Sequence, residues 1–393
     1  MQRAKRATQL LRTRTVAAGL FALAAVCRAA VLPDDRADLL WHDWDGGGVE
    51  VYGPSVLVSK KLTDSLSVAA NYYIDLISSA SVDVLSMASP YKETRRQGSV
   101  SADYLHGSTI YSAGYIESNE PDYVARTAFF SISQSMFGDL TTITFGGSRG
   151  WDKVGEDSYP HGYANGGRMT TWVGDADHRN WQASVSQILT RNLILGVNFE
   201  TDESDGYLQS PYRTARYLNP EGQVSAEPQV TPNTRTGNAG SVQLKYYLPW
   251  HAALDSSYRI YHDTWGILGH TVSLGLTQPV SSEWTLNGNV RYYRQNAANF
   301  YSDLFPYQDS QNFMSRDREL AQFYDISLGL GASWQFKPAW PRWIEKGTLN
   351  LAYNRLHIAY EDFHNYPVGG SPLGVPLYAY DANVTQFFIS LWY

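Results

Sequence analysis

From about residue 37 onward, apolar and polar residues alternate with a period of two, the pattern of strands with one face on an apolar medium. Leu66, Val68, Ala70, Tyr72 and Ile74 share one face; Ser67, Asn71, Tyr73 and Asp75 share the other. Leu193, Leu195, Val197 and Phe199 oppose Gly196, Asn198 and Glu200. Trp284, Leu286, Val290 and Tyr292 oppose Thr285, Asn287, Asn289 and Arg291, and Ile326, Leu328, Leu330, Ala332 and Trp334 repeat the pattern. The phase slips near Asn354 to Leu356, which predicts a bulge.

Counting such segments predicts about 16 strands. They lie near 37–43, 49–61, 65–75, 95–105, 108–117, 123–136, 140–147 and 179–189 in the first half. The second half places them near 192–201, 238–248, 252–262, 266–278, 284–295, 322–336, 347–359 and 381–393. The first strand is the weakest, so 14 stays open as a count. Short connections such as His106-Gly107 and Thr190-Arg191-Asn192 alternate with longer polar ones near 76–94, 148–177, 202–236, 297–321 and 361–379. The fold expected is an all-β, transmembrane antiparallel β-barrel with short periplasmic turns and long outer loops. An even strand count puts both termini in the periplasm.

The two ends of the chain agree with this. Phe387, Ile389, Leu391 and Tyr393 fall on one face of a last strand that ends on an aromatic residue. An apolar edge strand invites aggregation in water, whereas a closed barrel has no edge. The ending resembles the sorting signal of outer-membrane barrels, which engages the barrel assembly machinery. Gln386, Ser390 and Trp392 are expected to point inward, with Tyr393 at the periplasmic rim. At the other end, Arg3, Lys5, Arg6, Arg12 and Arg14 precede an apolar run from Val16 to Val26. That run is too short to span a membrane, and Cys27 and Ala29 are small residues suited to cleavage after Ala29. Residues 1–29 therefore read as a signal peptide and 30–393 as one barrel domain.

Composition then narrows the function. Cys27 is the only cysteine, so a processed chain has no disulfide, thiolate metal site or cysteine nucleophile. The six basic residues up to Arg28 leave with the leader and move the net charge from −7 to −13, which argues against nucleic acid. With 28 Tyr, 12 Trp and 32 Gly, the chain has the aromatic rims and tight packing of a barrel in lipid. Trp250, Trp284, Trp334, Trp340 and Trp343 lie near periplasmic turns and read as an interface girdle.

Specific motifs in the middle of the chain carry a resemblance. They include Tyr258-Arg259-Ile260-Tyr261-His262-Asp263-Thr264-Trp265-Gly266, Arg291-Tyr292-Tyr293-Arg294-Gln295 and Ala297-Ala298-Asn299-Phe300-Tyr301. Upstream are Glu117-Ser118-Asn119-Glu120-Pro121-Asp122-Tyr123 and Ser210-Pro211-Tyr212-Arg213. Together they resemble an uncharacterised bacterial family, a domain of unknown function expected to form outer-membrane barrels. The resemblance implies fold and location over nearly the whole mature chain and supplies no activity. It also implies an association with periplasmic flavin-attachment or thioredoxin-like proteins, hence a redox-linked partner.

Two polar clusters are candidates for function. Asp75, Glu93, Arg95, Arg96, Glu117, Glu120, Asp122 and Asp152 are placed by strand order on one side of the outer mouth. Salt-bridged loop packing, a permeation constriction and a hard-cation site are the three readings, with Arg95 and Arg96 opposing the last. Asp255, Arg259, Tyr261, Asp263, Arg291 and Tyr293 face the lumen from the C-terminal half, and the parity of His270 puts it on the lipid side. Asp255, Arg259 and Arg291 form a prospective ladder. In the loop at 202–236, Tyr212, Arg213 and Arg216, beside Tyr207 and Tyr217, suit a plug or lid, or a stacking site for a sugar or flavin. No Gly-x-Ser-x-Gly, His-Glu-x-x-His or Walker loop occurs, so no catalytic residue, metal or cofactor is expected. The function expected is a porin-like or gated channel for small hydrophilic solutes or ions. A closed barrel serving as scaffold or receptor for an envelope partner is the alternative, and an enzyme in the barrel ranks below both.

Overall fold

A computed structural model describes residues 30–79, 91–158, 169–339 and 343–393; the leader and Trp340 lie outside the described residues. In chain order the wall begins with β1 (Arg36–Gly46), β2 (Val49–Thr63), β3 (Leu66–Ser79), β4 (Tyr91–His106) and β5 (Thr109–Glu120). Next come β6 (Tyr123–Met136), β7 (Thr141–Ser158), β8 (Met169–Thr190) and β9 (Leu193–Gly206). After a separate hairpin, β10 (Thr214–Leu218) and β11 (Val224–Pro228), the wall resumes with β12 (Thr234–Tyr247), β13 (Ala253–Asp263) and β14 (Leu268–Pro279). It ends with β15 (Trp284–Gln295), β16 (Phe323–Phe336), β17 (Lys346–His364) and β18 (Leu377–Trp392). The wall strands close into one antiparallel barrel of 16, with β10 and β11 as a sheet of their own. β1 seals against β18 in unbroken register, from Arg36 opposite Trp392 to Gly46 opposite Ala382. Closure leaves no unpaired edge, which lets apolar strands stand in lipid.

The outward face is apolar. Val100, Leu328 and Leu330 project at 58%, 59% and 73% exposure, an arrangement that is costly in water and favourable against hydrocarbon. Near the short turns, Trp284 stacks on Trp334 and Trp250 and Trp343 stand exposed. The start of β1 and the C-terminal end of β18 lie at this short-turn end. At the other end the outward apolar band gives way, beyond Tyr115 and Trp151, to charged pairs such as Glu117–Arg126 and Arg179–Glu203.

Two expectations need correction. The segment near 148–177 is mostly strand: β7 and β8 pair as far as Ser158 opposite Met169. Its sequence lacks apolar alternation because this hairpin extends past the apolar band, where backbone hydrogen bonds hold it without lipid burial. Nor is there a bulge near Asn354 to Leu356. β17 pairs regularly there, and its irregularity falls between Ala359 and His364. The apparent slip arises because Ile358, Tyr360 and Phe363 turn inward to pack against loops in the mouth.

Those loops form a folded lid. Residues 207–233, 296–322 and 365–376 interlock through backbone bonds: Phe305 donates to Arg216, Val230 and Met314 exchange bonds, and Val224 exchanges bonds with Gly369 and Gly370. Asn219 accepts from the Gln223 amide at 2.8 Å, and Gly222, at φ +73°, closes the β10–β11 turn where L residues are strained. Three apolar clusters anchor the lid. Trp265, Ile267, Ala298, Phe300 and Leu320 pack together against Tyr261 of the wall. Ala321 and Tyr301 pack with Ile358, Tyr360, Ala382 and Trp44, while Ala215, Phe305 and Met314 join two loops.

The last residue ties the seam. The Tyr393 hydroxyl donates to the Ser59 carbonyl at 3.2 Å, its amide donates to Asp35, and Lys60 lies 5.0 Å over its ring. Phe387 pairs with Trp41 and Ile389 with Leu39 on the outward face, while Ser390 is buried on the inward one. Deleting Tyr393 is expected to lower the yield of heat-modifiable barrel in outer-membrane fractions. Wild-type yield from the truncated chain would refute this role.

Candidate functional site

Beneath the lid, the N-terminal half of the mouth holds a buried charge network. Asp75 of β3 sits at its centre, 3% exposed. One carboxylate oxygen lies 2.7 Å from His42 Nε2 of β1 and the other 2.6 Å from the Arg95 guanidinium of β4. Tyr73 stacks on His42 at 4.8 Å, contacts its Nε2 through the hydroxyl at 3.0 Å, and lies beneath Arg95. Strand alternation produces this: His42, Tyr73, Asp75 and Arg95 all occupy inward positions, on strands in the order β1-β2-β3-β4 around the wall. A buried cation and carboxylate held by several bonds are costly to separate.

Next to it stands a group of acids. Oxygens of Glu93, Asp122 and Asp157 all lie within 4.8 Å of one another, and all three residues are buried. They come from β4, the β5–β6 turn and the protruding end of β7. Glu120, at the end of β5, is 7% exposed and its Oε2 has no hydrogen-bond partner. Glu120 is one turn residue from Asp122, beyond the level at which the outward face becomes charged, so it lies outside the membrane-spanning band. Burial pushes its carboxyl up to about 8; Arg95 opposes the shift, and Glu93, Asp122 and Asp75 add to it. The proton held in the folded state is released on unfolding between about 4.5 and about 8. The contribution is therefore full below pH 4.5 and is lost as pH rises through about 8. Stability of the mouth should fall across that window, and Glu120→Gln should flatten the fall in urea titrations at several pH values. An unchanged slope in the variant would show that another group titrates.

The lid reaches this group directly. The Tyr212 hydroxyl donates to Asp122 and accepts from the Asp157 amide at 2.7 Å. The next residue, Arg213, pairs with Asp317 and lies 3.5 Å from Glu319, in the loop between β15 and β16. Adjacent residues thus join the N-terminal wall to the C-terminal loops across the mouth. Arg216 is 2% exposed and bonds Thr214 within the β10–β11 sheet. Asp152 lies farther along β7, accepting from the Tyr123 hydroxyl and 3.2 Å from His178 Nε2.

Arg96 and Glu117 depart from the expected cluster. Both occupy outward positions, because each is one residue out of phase with its inward neighbours Arg95 and Ser118. Glu117 pairs with Arg126 on the outer surface, 3.5 Å apart. Arg96 borders a shallow outward groove of about 390 Å³ with Glu50, Tyr52 and Thr94.

Deeper in the lumen, the prospective ladder divides among different partners. Asp255 lies 3.4 Å from Lys245, Arg259 3.3 Å from Glu200, and Arg291 2.7 Å from Asp325. Inward-facing Gln243, Asn287 and Asn289 are exposed there, so the lumen below the lid is lined by polar groups that water reaches. Asp263 instead closes the β13–β14 turn, accepting from the Trp265 and Ile267 amides at 3.0 Å and from Arg235 and Tyr261. His270 faces outward beside Tyr258.

The model of a family described as proteins of unknown function, DUF3570, matches residues 78–345. The chain belongs to this family. No curated protein matches it. Among solved structures, its barrel is similar to a bacterial polysaccharide outer membrane secretin, at 11% identity over 93% of this chain and 99% of that one, TM-score 0.49. It is also similar to a FadL homologue from Pseudomonas aeruginosa, at 10% identity over 92% and 91% of the two chains, TM-score 0.46. The siderophore receptor PirA from Pseudomonas aeruginosa shares 12% identity over 92% of this chain and 63% of that one, TM-score 0.42. At these identities the likeness is one of fold.

His42, Asp157 and His178 belong to the network and were not among the residues expected there. The alternation of β1 carried the signal for His42, since Asp38, Leu40 and Trp44 share its face. Asp157 falls in a segment that reads as loop, where parity gives no guidance.

Proposed function

We propose that this protein is a gated outer-membrane channel for small hydrophilic solutes or ions, closed on its outer side by the lid. In this reading the short turns and both termini are periplasmic and the lid faces the exterior. One observation carries it: a polar, water-reached lumen lies under loops whose link to the N-terminal wall is polar. Tyr212 meets the acids of the wall through its hydroxyl, while the buried Arg213–Asp317 pair lies within the lid and holds its loops together. A hydroxyl–carboxylate bond such as that of Tyr212 exchanges with water at modest net cost, so it suits a closure that opens.

The apolar clusters that anchor the lid favour a second reading, a closed barrel that presents its loops to an envelope partner. Osmotic swelling of proteoliposomes separates the two. The gated channel predicts slow uptake of small sugars by the wild type and several-fold faster uptake after Tyr212→Phe. Vesicles that never swell with either protein would leave the scaffold reading in place.

A further inference from the structure

We propose that the outward face of β6, β7 and β8 holds the phosphate of a lipid headgroup in the leaflet at the lid end, with Arg149 and Arg179 as its principal ligands. In the orientation proposed above, this is the outer leaflet. The assignment concerns the outward face alone and does not depend on whether the lid gates a channel. The first observation is where the outward arginines stand. Arg96, Arg126, Arg149, Arg179, Arg294 and Arg355 occupy outward strand positions toward the lid end, and among the described residues no outward strand position near the short turns holds an arginine. Aromatic belts mark the headgroup level of a membrane. Arg149 and Arg179 sit one outward position beyond Gly147 and Trp181, and Trp181 clusters with Phe130 and Phe145 at 6.2 and 6.0 Å.

The second observation is register. Arg149 and Arg179 stand directly opposite each other on adjacent strands, where like charges repel and an anion between them relieves the repulsion. Their acidic neighbours do not satisfy them. Asp177 lies 3.3 Å from Arg149 and Glu203 3.7 Å from Arg179, with all four side chains between 45% and 63% exposed. Ion pairs of this kind contribute little, and each guanidinium keeps further N–H donors for a ligand. Two more cations stand on the same face. Arg126 is opposite Trp151, and Lys153 is exposed and pairs with no acid among the described residues. Ala128, exposed and opposite Arg149 on β6, leaves the approach to that guanidinium open. A phosphate monoester brings about two negative charges and oxygens that a guanidinium fork meets in pairs. The Phe130, Phe145 and Trp181 rings directly below supply an apolar surface for acyl chains, which favours a lipid over a free ion.

The test uses the full-length mature chain, refolded in detergent and mixed with bisphosphorylated lipid A, with bound lipid counted by native mass spectrometry. The wild type should retain this lipid and hold its dephosphorylated form at least tenfold more weakly. Combining Arg149→Gln with Arg179→Gln should weaken binding at least tenfold, and Arg191→Gln in the short β8–β9 turn should leave it unchanged. Combining Arg149→Lys with Arg179→Lys preserves the charge and guards against misfolding; it should lose part of the affinity, because an ammonium lacks the guanidinium fork. Heat-modifiability confirms that each variant is folded. Millimolar inorganic phosphate should leave the lipid bound, and release of the lipid by phosphate would overturn the assignment to a lipid. A folded wild type indifferent to dephosphorylation, or a folded double Gln variant that binds as tightly as wild type, would overturn the site itself.

Discussion

Asp75→Ala is expected to destabilise the barrel by about 3–5 kcal/mol, the cost of breaking a buried ion pair from one side. Asp75 is the shared acceptor of His42 and Arg95, and all three side chains are buried. Removing the carboxylate leaves the Arg95 guanidinium, 5% exposed, without its partner at 2.6 Å. The lower lumen supplies the contrast. Lys245 and Asp255 are 40% and 34% exposed, so Asp255→Ala should cost under about 1 kcal/mol. Urea unfolding in lipid vesicles, followed by tryptophan fluorescence, reads both. Equal costs for the two substitutions would mean that the upper network is not the stabilising element the geometry describes.

The second large effect is local. Arg213→Ala leaves Asp317 buried without its guanidinium, and Asp317 also accepts the Glu319 amide at the start of a short 3-10 turn, Arg318–Leu320. A loss of about 3 kcal/mol would raise lid opening on the order of a hundredfold. Hydrogen exchange should therefore accelerate over β10 and β11, while the wall strands keep their protection. Arg213→Lys should rescue only in part, because one ammonium does not reproduce a fork that meets both Asp317 and Glu319. Acceleration spread evenly over wall and lid would show instead that Arg213 supports the barrel as a whole.

The barrel was legible in the chain because lipid on one face and water on the other write an alternating pattern along every spanning segment. That is why Leu66 to Ile74 or Trp284 to Tyr292 could be assigned from residue type alone. The pattern fades wherever neither medium is lipid. Residues 153–158 and 169–177 pair as strands beyond the apolar band, without the regular alternation that would reveal them. Ile358 and Tyr360 reverse the usual sense because the lid offers them an apolar surface inside the mouth. Parity also decided what was right and wrong in the first cluster. Asp75, Glu93, Arg95, Glu120 and Asp152 are inward, whereas Arg96 and Glu117 differ from their neighbours by one residue and face out. Partners on neighbouring strands separated by a long loop, such as Glu200 of β9 for Arg259 of β13 with β12 between them, depend on register and loop path, which no local window contains.

Single-channel recording in planar bilayers tests the central claim most directly, comparing the wild type with a chain in which residues 207–233 are replaced by a short Gly-Ser linker. The account predicts a mostly closed wild type with rare openings and a linker variant that conducts in large, stable steps. A folded linker variant that carries no current would contradict it, since the lumen beneath the lid would then not be a path.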